Sequence, residues 1–108
     1  MIGEKIPGYN NYIITKDGQV YSIKSKRYLV LNPSGVYFYI KLCKDGKTKD
    51  YYVHVLVAKS FIPNPQNKSY VNHKNSNKKD NNINNLEWVT ASENTIHYIK
   101  TRQTVIEV

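Results

Sequence analysis

Short runs of β-branched and aromatic residues, cut at intervals by turn signals, fill the first half of the chain and predict an antiparallel sheet. Tyr12–Ile14 reads as a strand, Lys16-Asp17-Gly18 as a turn and Val20–Ile23 as the return strand, since Asp-Gly between apolar runs marks a hairpin. Tyr28–Leu31 reads as a further strand, ended by the turn-forming Asn32-Pro33-Ser34-Gly35. Val36–Leu42 and Lys49–Val53 flank Lys44-Asp45-Gly46-Lys47 and predict a second hairpin. Around His54 the period changes: Val55, Leu56, Val57, Ala58, Phe61 and Ile62 suit a short helix packed on the sheet. Pro63 and Pro65 end it, because neither can donate a backbone hydrogen bond.

The second half has a different grammar. Tyr70–Lys74 reads as a short strand and residues 75–85 as a polar loop containing six Asn. Leu86–Thr90 reads as a second strand anchored by Trp88. Thr90-Ala91-Ser92-Glu93 has the form of a capping box and predicts a helix carrying Asn94, Ile96, His97, Tyr98 and Ile99, with residues 102–108 as a tail or last strand. The expectation is an α+β chain: a small N-terminal antiparallel sheet with a short helix over residues 1–62, then a ββα unit over 63–108, together forming one compact body. No internal repeat is evident.

Charge changes this picture towards function. The net charge is +8 over 108 residues, which points to a polyanionic partner. Residues 1–50 contribute +5 and residues 51–108 contribute +3, so a folded face rather than a basic tail would meet phosphate. Lys outnumbers Arg, with only Arg27 and Arg102 present, a bias that AT-rich coding DNA produces without functional demand. The single cysteine, Cys43, excludes an internal disulfide and a Cys-pair zinc site and suits a reducing compartment. The first ten residues hold no long apolar run, so neither a signal peptide nor a membrane span is expected, and the sequon Asn67-Lys-Ser69 has no meaning without secretion.

The candidate chemistry lies in the ββα unit, where His73, Asn85 and Asn94 follow one another at separations of 12 and 9 residues. A residue ending the first strand and one in the first helical turn can face each other across such a unit. Asn72 and His73 are neighbours on a strand, so their side chains take opposite faces unless a twist or bulge intervenes. His97 lies three residues after Asn94 and hence on the same helix face. Phosphodiester hydrolysis needs an activated water, charge neutralisation on phosphate and help for the leaving oxygen. One histidine can take the water's proton, and a divalent cation supplies the rest. Asn amide oxygens qualify as ligands for a hard cation. His73 as base with Asn94 as ligand meets this minimum. Taken singly, His73 reads as a packed or surface histidine, the asparagines as turn formers and Asn94 as helix-start chemistry; jointly they point to one site.

Two long segments extend the argument. IPGYNNYIITKDGQVYSIKSKRYLVLNPSGVYFYIKLCKDGKTKDYYVHVLVAKSFIPNP and VNHKNSNKKDNNINNLEWVTASENTIH together resemble the HNH homing endonucleases of phage introns, across about residues 6–100. The first matches the small sheet module that precedes their nuclease motif and the second the motif itself. The resemblance implies a ββα-metal nuclease that uses Mg²⁺, or Mn²⁺, on double-stranded DNA. It assigns His73 as general base, Asn85 as the brace of the loop, and Asn72 and Asn94 as metal ligands, with His54 and His97 near the site and His54 either structural or phosphate-facing. Three departures stand out. Asn72 replaces the Asp of several relatives, and a neutral amide holds a hard dication less well than a carboxylate. Val55 replaces a frequent Arg. Relatives continue past the nuclease helix into a helix-turn-helix, so long-site specificity is not expected of this chain.

For DNA contact the sheet half offers Lys24, Lys26, Arg27, Tyr37, Tyr39 and Lys41, and the nuclease loop offers Lys74, Lys78 and Lys79. Tyr37, Tyr39 and Lys41 share a strand face opposite Phe38, Ile40 and Leu42, either a DNA-contacting face or a merely solvated one. The leading expectation is a metal-dependent DNA endonuclease, monomeric and nicking one strand, in the cytoplasm of a phage-infected or bacterial cell. The alternatives are a DNA-binding protein of the same fold with weak or lost cleavage, and a phage protein that binds a host protein.

Overall fold

The structure, a computed structural model, describes residues 3–94. Four strands open the chain as an antiparallel meander: β1 (Gly3–Ile6), β2 (Tyr9–Thr15), β3 (Val20–Ser22) and β4 (Arg27–Tyr28), in that spatial order. A second antiparallel sheet follows, β5 (Asn32–Ser34), β6 (Tyr37–Lys44) and β7 (Lys47–Tyr52). Helix α1 (Val53–Phe61) leads to a two-stranded unit, β8 (Tyr70–His73) and β9 (Leu86–Val89), and residues 91–94 begin a further helix. This is the expected α+β arrangement.

The β6–β7 hairpin shows why its turn was legible. Asp45 and Gly46 both take positive φ, 54° and 74°, the conformation of a two-residue turn whose twist matches that of its strands. On β6 the alternation buries Ile40 and Leu42 and leaves Lys41 and Cys43 exposed. Helix α1 buries Val53, His54, Leu56, Val57 and Ala58.

One apolar cluster joins all parts. It contains Ile6, Tyr12, Ile14 and Val20 of the first sheet, Ile40 and Leu42 of the second, Val53, Leu56 and Val57 of α1, and Leu86 of β9. Polar ties reinforce the joins. Cys43 N donates to Tyr12 Oη at 3.1 Å and the Tyr9 and Tyr51 hydroxyls lie 2.7 Å apart, linking the two sheets. Trp88 Nε1 donates to Ile62 O at 3.0 Å, fixing β9 to the end of α1.

Three elements differ from expectation. Strand β1 carries exposed Glu4 and Lys5 and buries only Ile6, so its sequence has almost no apolar signature; pairing with β2 makes it a strand. The strand expected at Tyr28–Leu31 stops at Tyr28, and Val30 is 86% exposed, because the chain is crossing between sheets and has no partner there. Asn32–Ser34 is a strand, and the turn falls one step later, with Gly35 at φ 60°. Pro33 is tolerated because β5 is a sheet edge, where a missing N–H costs no ladder bond.

Candidate active site

Strands β8 and β9 pair without a register break, setting Asn72 opposite Glu87 and His73 opposite Leu86. No bulge interrupts the pair, and the two side chains, both buried, have different hydrogen-bond partners. The loop between the strands is built by its own asparagines, whose short amides satisfy nearby backbone groups. Asn85, at the end of a 3₁₀ turn (Ile83–Asn85), accepts from Asn75 N at 3.0 Å through Oδ1 and donates from Nδ2 to Asp80 O at 2.9 Å. Its carbonyl accepts from Lys74 N at 2.7 Å. Asn85 therefore laces both ends of the loop to its middle.

His73 is 1% exposed, and its Nε2 lies 2.8 Å from Asn81 Oδ1. An amide oxygen only accepts, so Nε2 carries the ring proton and Nδ1 keeps the lone pair. Asn81, which the sequence singles out only as one loop asparagine among six, is thus the residue that hydrogen-bonds the His73 ring. It is itself held by the first sheet. Ile83 N donates to Lys16 O at 2.8 Å, and a Cβ on Gly18 would stand 2.7 Å from Asn81 Cβ. The β2–β3 turn thus leans on the loop that orients His73, a relationship no local pattern reveals.

Behind His73 stands a ring cluster. His54 lies 4.9 Å from His73 between ring centres and stacks on Tyr37 at 4.8 Å, with Tyr52 at 5.5 Å. His54 is 6% exposed, so it lies in the wall behind His73 and not on an open face. Burial pushes its imidazole down to about 4, with the His73 and Lys78 charges acting in the same direction. His73 is also lowered, chiefly by burial, against the raising effect of its Asn81 hydrogen bond. Both rings are therefore neutral at neutral pH, the form a general base requires.

Asn72 is 3% exposed and donates from Nδ2 across the strand pair to Glu87 Oε2 at 2.9 Å. Asn94 sits in the helical turn of residues 91–94, where its N–H donates to Thr90 O at 3.0 Å. That turn is set by the capping box: Thr90 N donates to Glu93 Oε1 at 2.9 Å, and Glu93 N to Thr90 Oγ1 at 3.2 Å. Lys68 pairs with Glu93 at 2.9 Å, tying the helix start to the loop after α1. His97, with Ile96, Tyr98, Ile99 and the tail 102–108, lies outside the described residues. Among the described residues no three His, Cys, Asp or Glu side chains gather into a metal cluster, so an ion here would rest on amide oxygens.

The cationic candidates divide into groups. Lys24, Lys26 and Arg27 sit at the β3–β4 turn, all exposed, with Lys26 at φ 54°. Lys41 pairs with Asp50 at 3.8 Å on the open face of the second sheet. Tyr39 is half-buried on that sheet, whereas Tyr37 belongs to the ring cluster. Lys74 and Lys79 are exposed on the active-site loop, and Lys79 Nζ rests 5.7 Å from the Phe38 ring. Lys78 is half-buried near both histidines.

A small sheet module, a strand–loop–strand unit with an oriented histidine, and a capped helix start bearing Asn94 define a ββα nuclease architecture. The profile of the HNH endonuclease family matches residues 51–96, and the chain belongs to that family. The solved structure described as "DNA binding and cleavage by the HNH homing endonuclease I-HmuI" superposes with a TM-score of 0.85 at 33% identity, over 100% of this chain and 67% of that one. The uncharacterized HNH endonuclease L245 of Acanthamoeba polyphaga mimivirus is 44% identical over 98% of this chain and 32% of its own length. DNA endonuclease I-HmuI of Bacillus phage SP01 is 42% identical over 82% of this chain and 52% of its own length. The H-N-H endonuclease F-TflII of Escherichia phage T5 is 34% identical over 89% of this chain and 50% of its own. The chain thus spans about half or less of these curated relatives.

Proposed function

We propose that this chain hydrolyses phosphodiester bonds in double-stranded DNA with a divalent cation, nicking one strand as a monomer, in the cytoplasm of a bacterial or phage-infected cell. The observation that carries the reading is the 2.8 Å contact between His73 Nε2 and Asn81 Oδ1, which leaves Nδ1 as the basic atom of a neutral buried imidazole. His73 Nδ1 takes a proton from the attacking water. Asn85 keeps the loop closed around it through its bonds to Asn75 and Asp80. Asn72 and Asn94 supply hard oxygen donors, which fit Mg²⁺ or Mn²⁺. The cation, when bound, neutralises charge on the phosphate and on the leaving oxygen. His97 is a further candidate near the site by resemblance. Lys74, Lys78 and Lys79 around the loop, and Lys24, Lys26 and Arg27 on the first sheet, supply positive charge for phosphates of the duplex. Lys41 and Tyr39 complete the candidate contact set, whereas His54 and Tyr37 act through the wall behind His73.

Neutral Asn72 favours a second reading, a DNA-binding protein of this fold with little cleavage. The deciding experiment incubates supercoiled plasmid with the protein in Mg²⁺, Mn²⁺ or chelator, beside His73→Ala. Open circles that need both metal and His73 are expected, and open circles without linear product indicate nicking. Retardation of DNA with no cleavage in either metal would establish the second reading.

A further inference from the structure

The neutral amide at position 72 is the weakest part of the proposed metal site, and its surroundings suggest how the chain compensates. Asn72 Nδ2 donates to Glu87 Oε2 at 2.9 Å from the directly opposite position on β9. That donation occupies the amide nitrogen and leaves Oδ1 as the ligating atom of the side chain. Glu87 itself is half-buried, and among the described residues no cation pairs with it. A cross-strand pair made only for sheet stability would gain as much from a neutral partner or an opposite charge. Glu87 also lines an open cleft with Lys68, Lys74, Leu86 and Trp88, so solvent reaches the carboxylate side of the pair.

We propose that Glu87 is a positioning residue for Asn72, and that the hydrogen-bonded Asn72–Glu87 pair does the work of a single carboxylate ligand. This deepens, and rests on, the reading of Asn72 as a metal ligand. A charge-assisted hydrogen bond from the amide N–H to a carboxylate draws electron density onto Oδ1 and fixes its direction. The negative charge sits one side chain behind the ligating atom, the place where partners of metal ligands exert their effect. The pair thus offers an ion an oxygen donor with a full negative charge close behind it.

The test is Mn²⁺ binding to the whole protein without DNA, followed by electron paramagnetic resonance of the free ion. Glu87→Gln keeps a hydrogen-bond acceptor and removes the charge. It is expected to weaken Mn²⁺ binding by about 10-fold or more, the usual effect of losing a partner behind a metal ligand, with no change in Tm measured in chelator. Moving the charge onto the ligand, in the double variant Asn72→Asp with Glu87→Gln, is expected to restore binding. A role confined to sheet stability would give neither the loss at constant Tm nor the rescue. Should Glu87→Gln fail to fold, Glu87→Thr, whose β-branched side chain suits a strand, serves in its place. Wild-type affinity in the Glu87 variant beside a weakened Asn72→Ala overturns the inference and leaves the metal reading standing. Unchanged affinity in Asn72→Ala as well overturns both.

Discussion

His73 Nε2 and Asn81 Oδ1 stand 2.8 Å apart, with both side chains buried, so an asparagine eight residues downstream decides which nitrogen of the histidine is basic. The amide oxygen selects the Nε2–H tautomer and frees Nδ1.

Asn81→Ala is expected to slow cleavage by roughly 10- to 100-fold, part of the 10²–10⁴ that a general base contributes, while DNA retardation is unchanged. Asn81→Asp keeps the acceptor and adds a charge that stabilises the imidazolium. The acid limb of its rate–pH profile should move to higher pH than in the parent. A parent-like profile in both variants would remove Asn81 from the mechanism.

His54 makes stability depend on pH. Its folded value of about 4 lies below the ordinary histidine value of 6.5, so between these two the unfolded chain binds more protons than the folded one. The stabilisation is present above pH 6.5 and drains away as pH falls towards 4, by up to about 3 kcal/mol at 1.36 kcal/mol per pKa unit. Denaturant melts of the parent and of His54→Phe at pH 7 and 4.5 check this. The parent should lose more stability than the variant, and equal losses refute the assignment.

Gly18→Ala should destabilise the protein by about 2 kcal/mol from its positive φ and from overlap with Asn81, since Gly18 has φ 86° and a Cβ there would stand 2.7 Å from Asn81 Cβ. Because Asn81 must move, cleavage should fall at temperatures where the variant is still folded. A lowered Tm with undiminished cleavage would show that the turn supports the fold alone.

Thr90→Ala removes the side-chain half of the capping box and should destabilise the helix start by about 1 kcal/mol. Asn94 lies on that turn, so the metal concentration needed for half-maximal cleavage should rise at temperatures where the variant is still fully folded. Thr90→Ser should behave as the parent. If Thr90→Ala leaves the metal requirement unchanged, Asn94 does not depend on the cap.

What was legible in the chain was whatever a short stretch of residues decides. Asp45-Gly46 dictates its turn because few other pairs tolerate two successive positive φ values. Ile40 and Leu42 point inward because strand side chains alternate, and the Thr90–Glu93 box declares a helix start three residues wide. The joint pattern of His73, Asn85 and Asn94 was readable from their spacing, and the resemblance of two segments added the family and the candidates Asn72, His54 and His97. The remainder needed the third dimension. Strand β1 exists only because β2 pairs with it. Val30 leaves the ladder because no strand meets it there. The tautomer of His73, the support of Asn81 by Gly18, the ring wall of His54 and Tyr37, and the Glu87 carboxylate behind Asn72 all join residues from separate elements. Local sequence encodes backbone preference and the inward or outward sense of a side chain. Which polar groups meet, and with what charge and burial, is decided only when the sheets, α1 and the β8–β9 unit share one core.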